Sequence, residues 1–370
     1  MAGHDSEDWM PILWRYVLRH FFQIFLLCVT SFIGVLLVLR FQEIARFASS
    51  GANLLTILSF MLLQVPHILP ITIPISCLIA AILLFQKLSH THELTAFRAC
   101  GLGLKPIMTP LLLAALLLTL LNFIITCEVT PRSRGKAKAL IYEMAAQNPL
   151  FLLQKESLLK LKNAYADISH LSVNQSASDL LLVFKNTSTD RLALVFARSL
   201  YLDKSELKGE NVAILSSVDS KREAGFDHLV IENQAEMDTL ASHFTQLTPH
   251  GGWEASYEYL PLRGILAGQQ VGKGFGWGAI LEIARRISLA LAAFTFTFIG
   301  MAFGMDIGRH PSKKRLAYAI ALSALYLICF VVAKSFRHSP YLAALILLLI
   351  HPLLLLLSLK SLTTVARGIE

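Results

Sequence analysis

Six stretches of the chain contain no Asp, Glu, Lys or Arg: residues 21–39, 54–85, 107–127, 287–305, 317–333 and 341–359. A helix needs roughly 20 such residues to cross ~30 Å of hydrocarbon, so each stretch predicts a membrane span. The second is too long for one straight span, and Pro66, Pro70 and Pro74 interrupt it. Each proline removes a backbone donor and favours a kink, which predicts one broken helix there. The first stretch is of spanning length and has no small-residue cleavage site after it, so it is read as a span rather than a cleavable signal.

Between the third and fourth stretches the pattern changes. Residues 180–185 and 191–197 are short runs rich in β-branched and aromatic side chains, and the turn-forming stretch 186–190 joins them into a predicted hairpin. Further runs at 165–173, 212–217 and 228–232 fit an antiparallel sandwich or jelly roll. Residues 131–147 either extend the third helix or cross over to this region. Five glycines in 268–278 predict a flexible return to the membrane. The expected fold is an α-helical membrane protein of six transmembrane helices, three and three, with an inserted extracytoplasmic antiparallel β-sandwich or jelly-roll domain. Its expected parts are residues 1–130, 131–275 and 276–370.

Composition agrees with that plan. The 370 residues are 55% hydrophobic and 16% charged, against about 25% charged in an ordinary soluble domain, which disfavours a water-facing enzyme. The net charge of +8 would suit a nucleic-acid binder if it lay on one face. It does not, because residues 131–275 carry 16 basic and 16 acidic side chains and are neutral. The excess belongs to the membrane part. With the N-terminus cytoplasmic, eleven basic residues lie on inner flanks and six on outer ones: Arg40, Arg46, Arg285, Arg286, Lys334 and Arg337. That bias predicts both termini inside and the β domain outside, and it removes the main support for nucleic acid as a partner.

Candidate chemistry is sparse. Five cysteines without paired CxxC spacing give neither a disulfide framework nor a zinc knuckle. No GxxxxGK[ST] occurs, so the chain has no Walker-type ATPase site of its own, and Gly272, Gly274, Gly276 and Gly278 read as a hinge rather than a phosphate loop. His90, His92 and Glu93 are close in sequence, but neighbours two apart do not share a helical face, and no metal is expected there. His67 and His351 stand inside spans that hold no carboxylate, so polar packing is expected of them rather than proton coupling. No cofactor and no enzymatic acid–base pair are expected.

The segment 87–104, KLSHTHELTAFRACGLGL, reads as a short helix at about 88–100 displayed to the cytoplasm, with Ser89 as N-cap and Gly101 and Gly103 closing it before Pro106. Leu94 and Phe97 share a face as an apolar knob and Glu93 adds an anion. Partner docking and an interfacial amphipathic helix are both open from these residues alone.

LSHTHELTAFRACG resembles the signature of the LptF/LptG-type permeases, the transmembrane subunits of the lipopolysaccharide export ABC transporter. The preceding VPHILPITIPIS and the later ARRISLALAAFTFTFIGMAFGM are similar to that family's second and fourth spans. The resemblance implies an inner-membrane permease driven by a separate cytoplasmic ATPase dimer. It implies a paralogous permease as heterodimer partner, lipopolysaccharide as cargo and a periplasmic β-jelly-roll protein as receiver. It gives Glu93 the role of docking in the ATPase, with Leu94 and Phe97 as apolar companions. It places Arg40, and at looser alignment Arg46, where basic residues meet lipid phosphates; simple snorkelling is the alternative. Two other readings stand beside it: a secondary transporter with inverted three-helix repeats, and a membrane scaffold or sensor with an outer binding domain.

Overall fold

The structure is a computed structural model that describes residues 9–49, 53–147, 158–160, 164–171, 176–185, 192–203, 206–218, 228–240, 257–267, 276–305, 313–336 and 339–366. In chain order, α1 (Trp9–Leu39), α2 (Phe41–Ser49), α3 (Leu54–His90), α4 (Glu93–Ala99) and α5 (Leu104–Ile124) precede a π-helical turn (Ile125–Val129) and α6 (Thr130–Gln147). Strands β1 (Leu158–Lys160), β2 (Ala164–Leu171), β3 (Ser176–Lys185), β4 (Leu192–Asp203), β5 (Glu206–Val218) and β6 (His228–Leu240) come next. They are followed by α7 (Leu262–Leu266), α8 (Trp277–Gly304), α9 (Lys313–Ser335) and α10 (Pro340–Ala366). Two compact units result. One comprises Met1–Arg40, Leu62–Arg134 and Tyr257–Glu370, the other Phe41–Met61 and Gly135–Ser256.

Among the described residues, six helical stretches are long and apolar enough to cross a membrane: Ile12–Leu39, Leu54–His90, Leu104–Ile141, Trp277–Gly304, Lys314–Ala333 and Pro340–Thr364. Residues 131–147 continue helically from α5 through the π turn, so the third helix is extended, and from Gly135 that extension belongs to the other unit. The fourth stretch begins at Trp277, ten residues before the uncharged run at Ile287. It therefore carries Glu282, Arg285 and Arg286, and the expectation of spans without a carboxylate is corrected.

The predicted break in the second span is also corrected. α3 runs as one helix of 37 residues through all three prolines. Pro70 and Pro74 lack the N–H groups that would bond the carbonyls of Pro66 and Pro70, four residues earlier. Side chains from elsewhere supply them: Thr130 Oγ1 donates to the Pro66 carbonyl at 2.8 Å, and Asn122 Nδ2 to that of Pro70 at 3.4 Å. Asn122 Nδ2 also reaches the Leu289 carbonyl on α8 at 2.9 Å. Freed backbone groups in hydrocarbon are tolerated when neighbours satisfy them in this way.

Close packing of α3 on α8 depends on two glycines. A Cβ at Gly300 would stand 2.7 Å from Ala81 Cβ and 2.8 Å from the Leu78 carbonyl oxygen, and one at Gly304 would stand 3.0 Å from Ile82 Cα. Small residues at i and i+4 let two backbones approach, which compensates for the missing hydrophobic drive between helices in lipid. Ala80, Ala81, Leu84 and Phe85 of α3 share one buried cluster with Leu111 of α5 and Met301 of α8. Phe296 and Ile299 of α8 continue it toward Tyr326 of α9 and Leu354 of α10. Ser288 Oγ lies 3.0 Å from His351 Nε2 and 3.3 Å from Tyr326 Oη, so the span histidine at 351 is packed into a polar knot joining α8, α9 and α10.

In the other unit the described strands make one antiparallel sheet in strict sequence order, β1-β2-β3-β4-β5-β6. The predicted hairpin is there: β3 (Ser176–Lys185) pairs with β4 (Leu192–Asp203), with Lys185 opposite Leu192. The residues of its turn, 186–190, lie outside the described ones. Sequential order makes an up-and-down meander. Among the described residues there is no second sheet and no crossover of the Greek-key type that a sandwich or jelly roll requires. Leu180, Ala197 and Val212 form one buried cross-strand row. On the opposite face Leu181 pairs with Phe196, and both are exposed. The glycine hinge expected at 268–278 falls largely on residues outside the described ones.

Candidate functional site

Glu93 opens α4 at the end of the helical unit where α1 begins and α3 ends. α3 reaches His90, and Thr91 and His92 then turn the chain, with His92 at φ 59° serving as the N-cap of α4. The expected helix at 88–100 capped by Ser89 is thus corrected to Glu93–Ala99 capped by His92. Its other end matches the sequence. Leu102 N–H donates to the Phe97 carbonyl and Gly101 N–H to that of Arg98, each at 3.0 Å, with Gly101 at φ 81°. That is a Schellman closure, and its left-handed position explains the glycine in the ACG turn.

The side chains of α4 point two ways. Leu94, 1% exposed, is buried among Val17 and Phe21 of α1, Leu88 of α3 and Ile107 of α5, while Phe97 is half-buried against the same cluster. Leu94 therefore anchors α4 to the bundle rather than forming a displayed apolar knob. Glu93 is half-exposed. Its Oε2 accepts a hydrogen bond from the Tyr16 hydroxyl of α1 at 2.9 Å, and Thr91 Oγ1 lies 2.9 Å from its Oε1.

At the opposite end of the same unit a cavity of about 290 Å³ lies among Leu36 and Leu39 of α1, Arg40 just after it, His67, Ile68 and Ile71 of α3, Arg134 of α6 and Arg285 of α8. Glu258, Glu282, Arg286 and Phe330 complete its charged and apolar walls. Arg286 is wholly buried. Its Nε donates to Glu282 Oε1 at 2.8 Å. Its Nη2 donates to the carbonyls of Tyr257 and Leu260, each at 2.9 Å, and its Nη1 reaches that of Cys127 in the π turn at 3.5 Å. This arginine is structural, satisfying carbonyls that the irregular backbone leaves open.

Arg285 forks onto both oxygens of Glu282, at 2.8 and 2.7 Å. Arg134 Nε donates to His67 Nδ1 at 2.8 Å, and its Nη1 is 3.6 Å from Glu258 Oε2. Four arginines against two glutamates, 4 − 2, leave the cavity two charges positive over leucine and isoleucine walls. Planar guanidinium forks suit phosphate oxygens, and the walls suit aliphatic chain, so the arrangement fits an anionic amphiphile. The aromatic pair Trp277 and Tyr341, 4.0 Å apart, stands at the start of α8 and α10. That is where a membrane interface places such rings.

The sequence placed Arg40, Arg285 and Arg286 on one flank, and the structure gathers all three here. Arg46 lies in α2, in the other unit, and its side chain is outside the described residues. Sequence reasoning missed Arg134, Glu258 and Glu282, and left His67 without the partner that Arg134 provides. The available signal was the spacing of Glu282, Arg285 and Arg286 at i, i+3 and i+4, which puts the three on one helical face.

Residues 15–363 match the family described as the lipopolysaccharide export system permease LptF/LptG. A protein of Rickettsia prowazekii (strain Madrid E), named only as the uncharacterized protein RP871, is 19% identical over 329 residues, covering 87% of this chain and 89% of that one.

Proposed function

The chain belongs to the LptF/LptG family of lipopolysaccharide export permeases, and on that premise we propose that it is the membrane subunit of an ABC transporter. Its work is to take lipopolysaccharide, or a similar multi-acyl glycolipid, out of the inner membrane and pass it to a periplasmic bridge. Lifting acyl chains from a bilayer costs about 0.8 kcal/mol per CH₂, so external work is needed, and a cytoplasmic ATPase dimer supplies it through α4 and Glu93. A paralogous permease completes the enclosure. Both termini face the cytoplasm and three spans stand on either side of an extracytoplasmic β domain, consistent with the eleven-to-six basic bias.

The observation that carries this reading is the arginine-ringed cavity at the end of the bundle opposite α4. Arg40, Arg134 and Arg285 hold headgroup phosphate there, while acyl chains enter between the two least covered spans. Those are α1, 11% buried over its most apolar stretch, and α9, 22%. The exposed Leu181 and Phe196 favour one face of the sheet as a surface for acyl chains. The 13-residue strand β6, an edge of the sheet among the described residues, suits strand addition by the receiving partner.

Gentle detergent purification of the full chain tests the proposal. An ATPase and glycolipid should co-purify with it, and Arg40→Ala should deplete the glycolipid about tenfold while keeping the ATPase. Ordinary phospholipid alone, unchanged by the substitution, contradicts the cargo, and absence of an ATPase contradicts the whole reading.

A further inference from the structure

Glu93 and α1 are joined at two adjacent points. Tyr16 Oη donates to Glu93 Oε2 at 2.9 Å across 77 positions of sequence, and the neighbouring Leu94 is buried with Val17 and Phe21 of the same helix. Tyr16 itself is steadied by His20, whose ring meets it edge-on at 4.7 Å. Thr91, the other close neighbour of the carboxylate, belongs to the turn that carries α4 and moves with it.

Beyond Phe25 the hold on α1 weakens, and Val35, Val38 and Leu39 are more than half exposed. A rigid helix gripped near one end carries a displacement at the grip along its length, which here ends at Leu36 and Leu39 beside the cavity. A hydrogen bond to a charged acceptor is directional and stronger than a neutral one, so it resists shear where the apolar contact at Leu94 would slide.

We propose that Tyr16 is a positioning residue that transmits the movement of α4 into α1, so that the stroke at Glu93 opens and closes the cavity at the far end of the same helix. The inference rests on the reading of Glu93 as the ATPase contact.

Tyr16→Phe removes one oxygen and keeps the ring. The full chain, assembled with its ATPase and partner in lipid vesicles loaded with labelled lipopolysaccharide, is measured for ATP hydrolysis and for lipid exported per ATP. Tyr16→Phe should leave hydrolysis at the parent rate and lower lipid per ATP about tenfold. Glu93→Ala should lower it at least as far, and the double variant no further than Glu93→Ala alone. A parent-like ratio in Tyr16→Phe, or additive losses in the double variant, overturns the inference while the uncoupling by Glu93→Ala still stands. A parent-like ratio in Glu93→Ala removes the underlying reading and the inference with it.

Discussion

α3 and α8 are buried over 72% of their most apolar stretches, and α1 over 11%. α1, α8 and α3 from Leu62 onward belong to one unit, and each has an apolar stretch of spanning length, so hydrophobicity does not separate them. The difference is in the devices that bind each helix. α3 and α8 are locked by Gly300 and Gly304, by the donors that repair the Pro66 and Pro70 carbonyls, and by Arg286 threaded among three carbonyls and Glu282. α1 is held by the packing of Val17, Phe21 and Phe25, by partly buried side chains such as Leu13, Ile24 and Val29, and by the Tyr16 hydroxyl. In lipid, apolar surface alone does not drive association. With nothing within 4 Å of a Cβ at Gly34 and its hydrogen bond to Glu93 near the other end, α1 is the span expected to move, and the contrast is between a spine and an arm.

The largest effect that could break this contrast is expected at Arg286. Arg286→Met should destabilise the unit by about 3 kcal/mol or more, because buried carbonyls and part of the Glu282 carboxylate lose their donor. Thermal unfolding in micelles measures it. Arg286→Lys should recover only a small part, since one ammonium cannot reach three carbonyls, and a methionine variant as stable as the parent would remove the arginine from the spine. A smaller effect sharpens the comparison through two glycines. Gly300→Ala should cost about 1–3 kcal/mol because the new methyl meets Ala81 and Leu78. Gly34→Ala on α1, where a Cβ meets nothing within 4 Å, should be neutral or stabilising by up to about 1 kcal/mol. Equal losses at the two positions would mean that α1 is packed as tightly as α8.

Much of this was legible in the chain because the bilayer imposes a local rule. Uncharged runs of spanning length located all six candidate spans, and the β-branched and aromatic runs at 180–185 and 191–197 located a hairpin. Gly101 announced the close of α4. What stayed hidden was set by distant partners. The prolines of α3 read as a break because Thr130 and Asn122, which repair it, lie more than 50 positions away. A search for charge-free runs truncated α8 at Ile287 and cut off the buried ion pairs of the cavity. Leu94 reads as a surface knob on its own helix and becomes a buried anchor only once α1, α3 and α5 surround it.

The most direct test is a pair of distances between spin labels, measured in the assembled transporter in lipid discs with and without trapped nucleotide. The five native cysteines are replaced first. One pair of labels joins Val35 of α1 to Leu291 of α8, and the other joins Leu83 of α3 to the same Leu291, all at exposed positions. The Val35–Leu291 distance should shift by several ångströms with nucleotide while Leu83–Leu291 stays fixed. A fixed Val35–Leu291 distance, or an equal shift in both, would contradict the division into arm and spine.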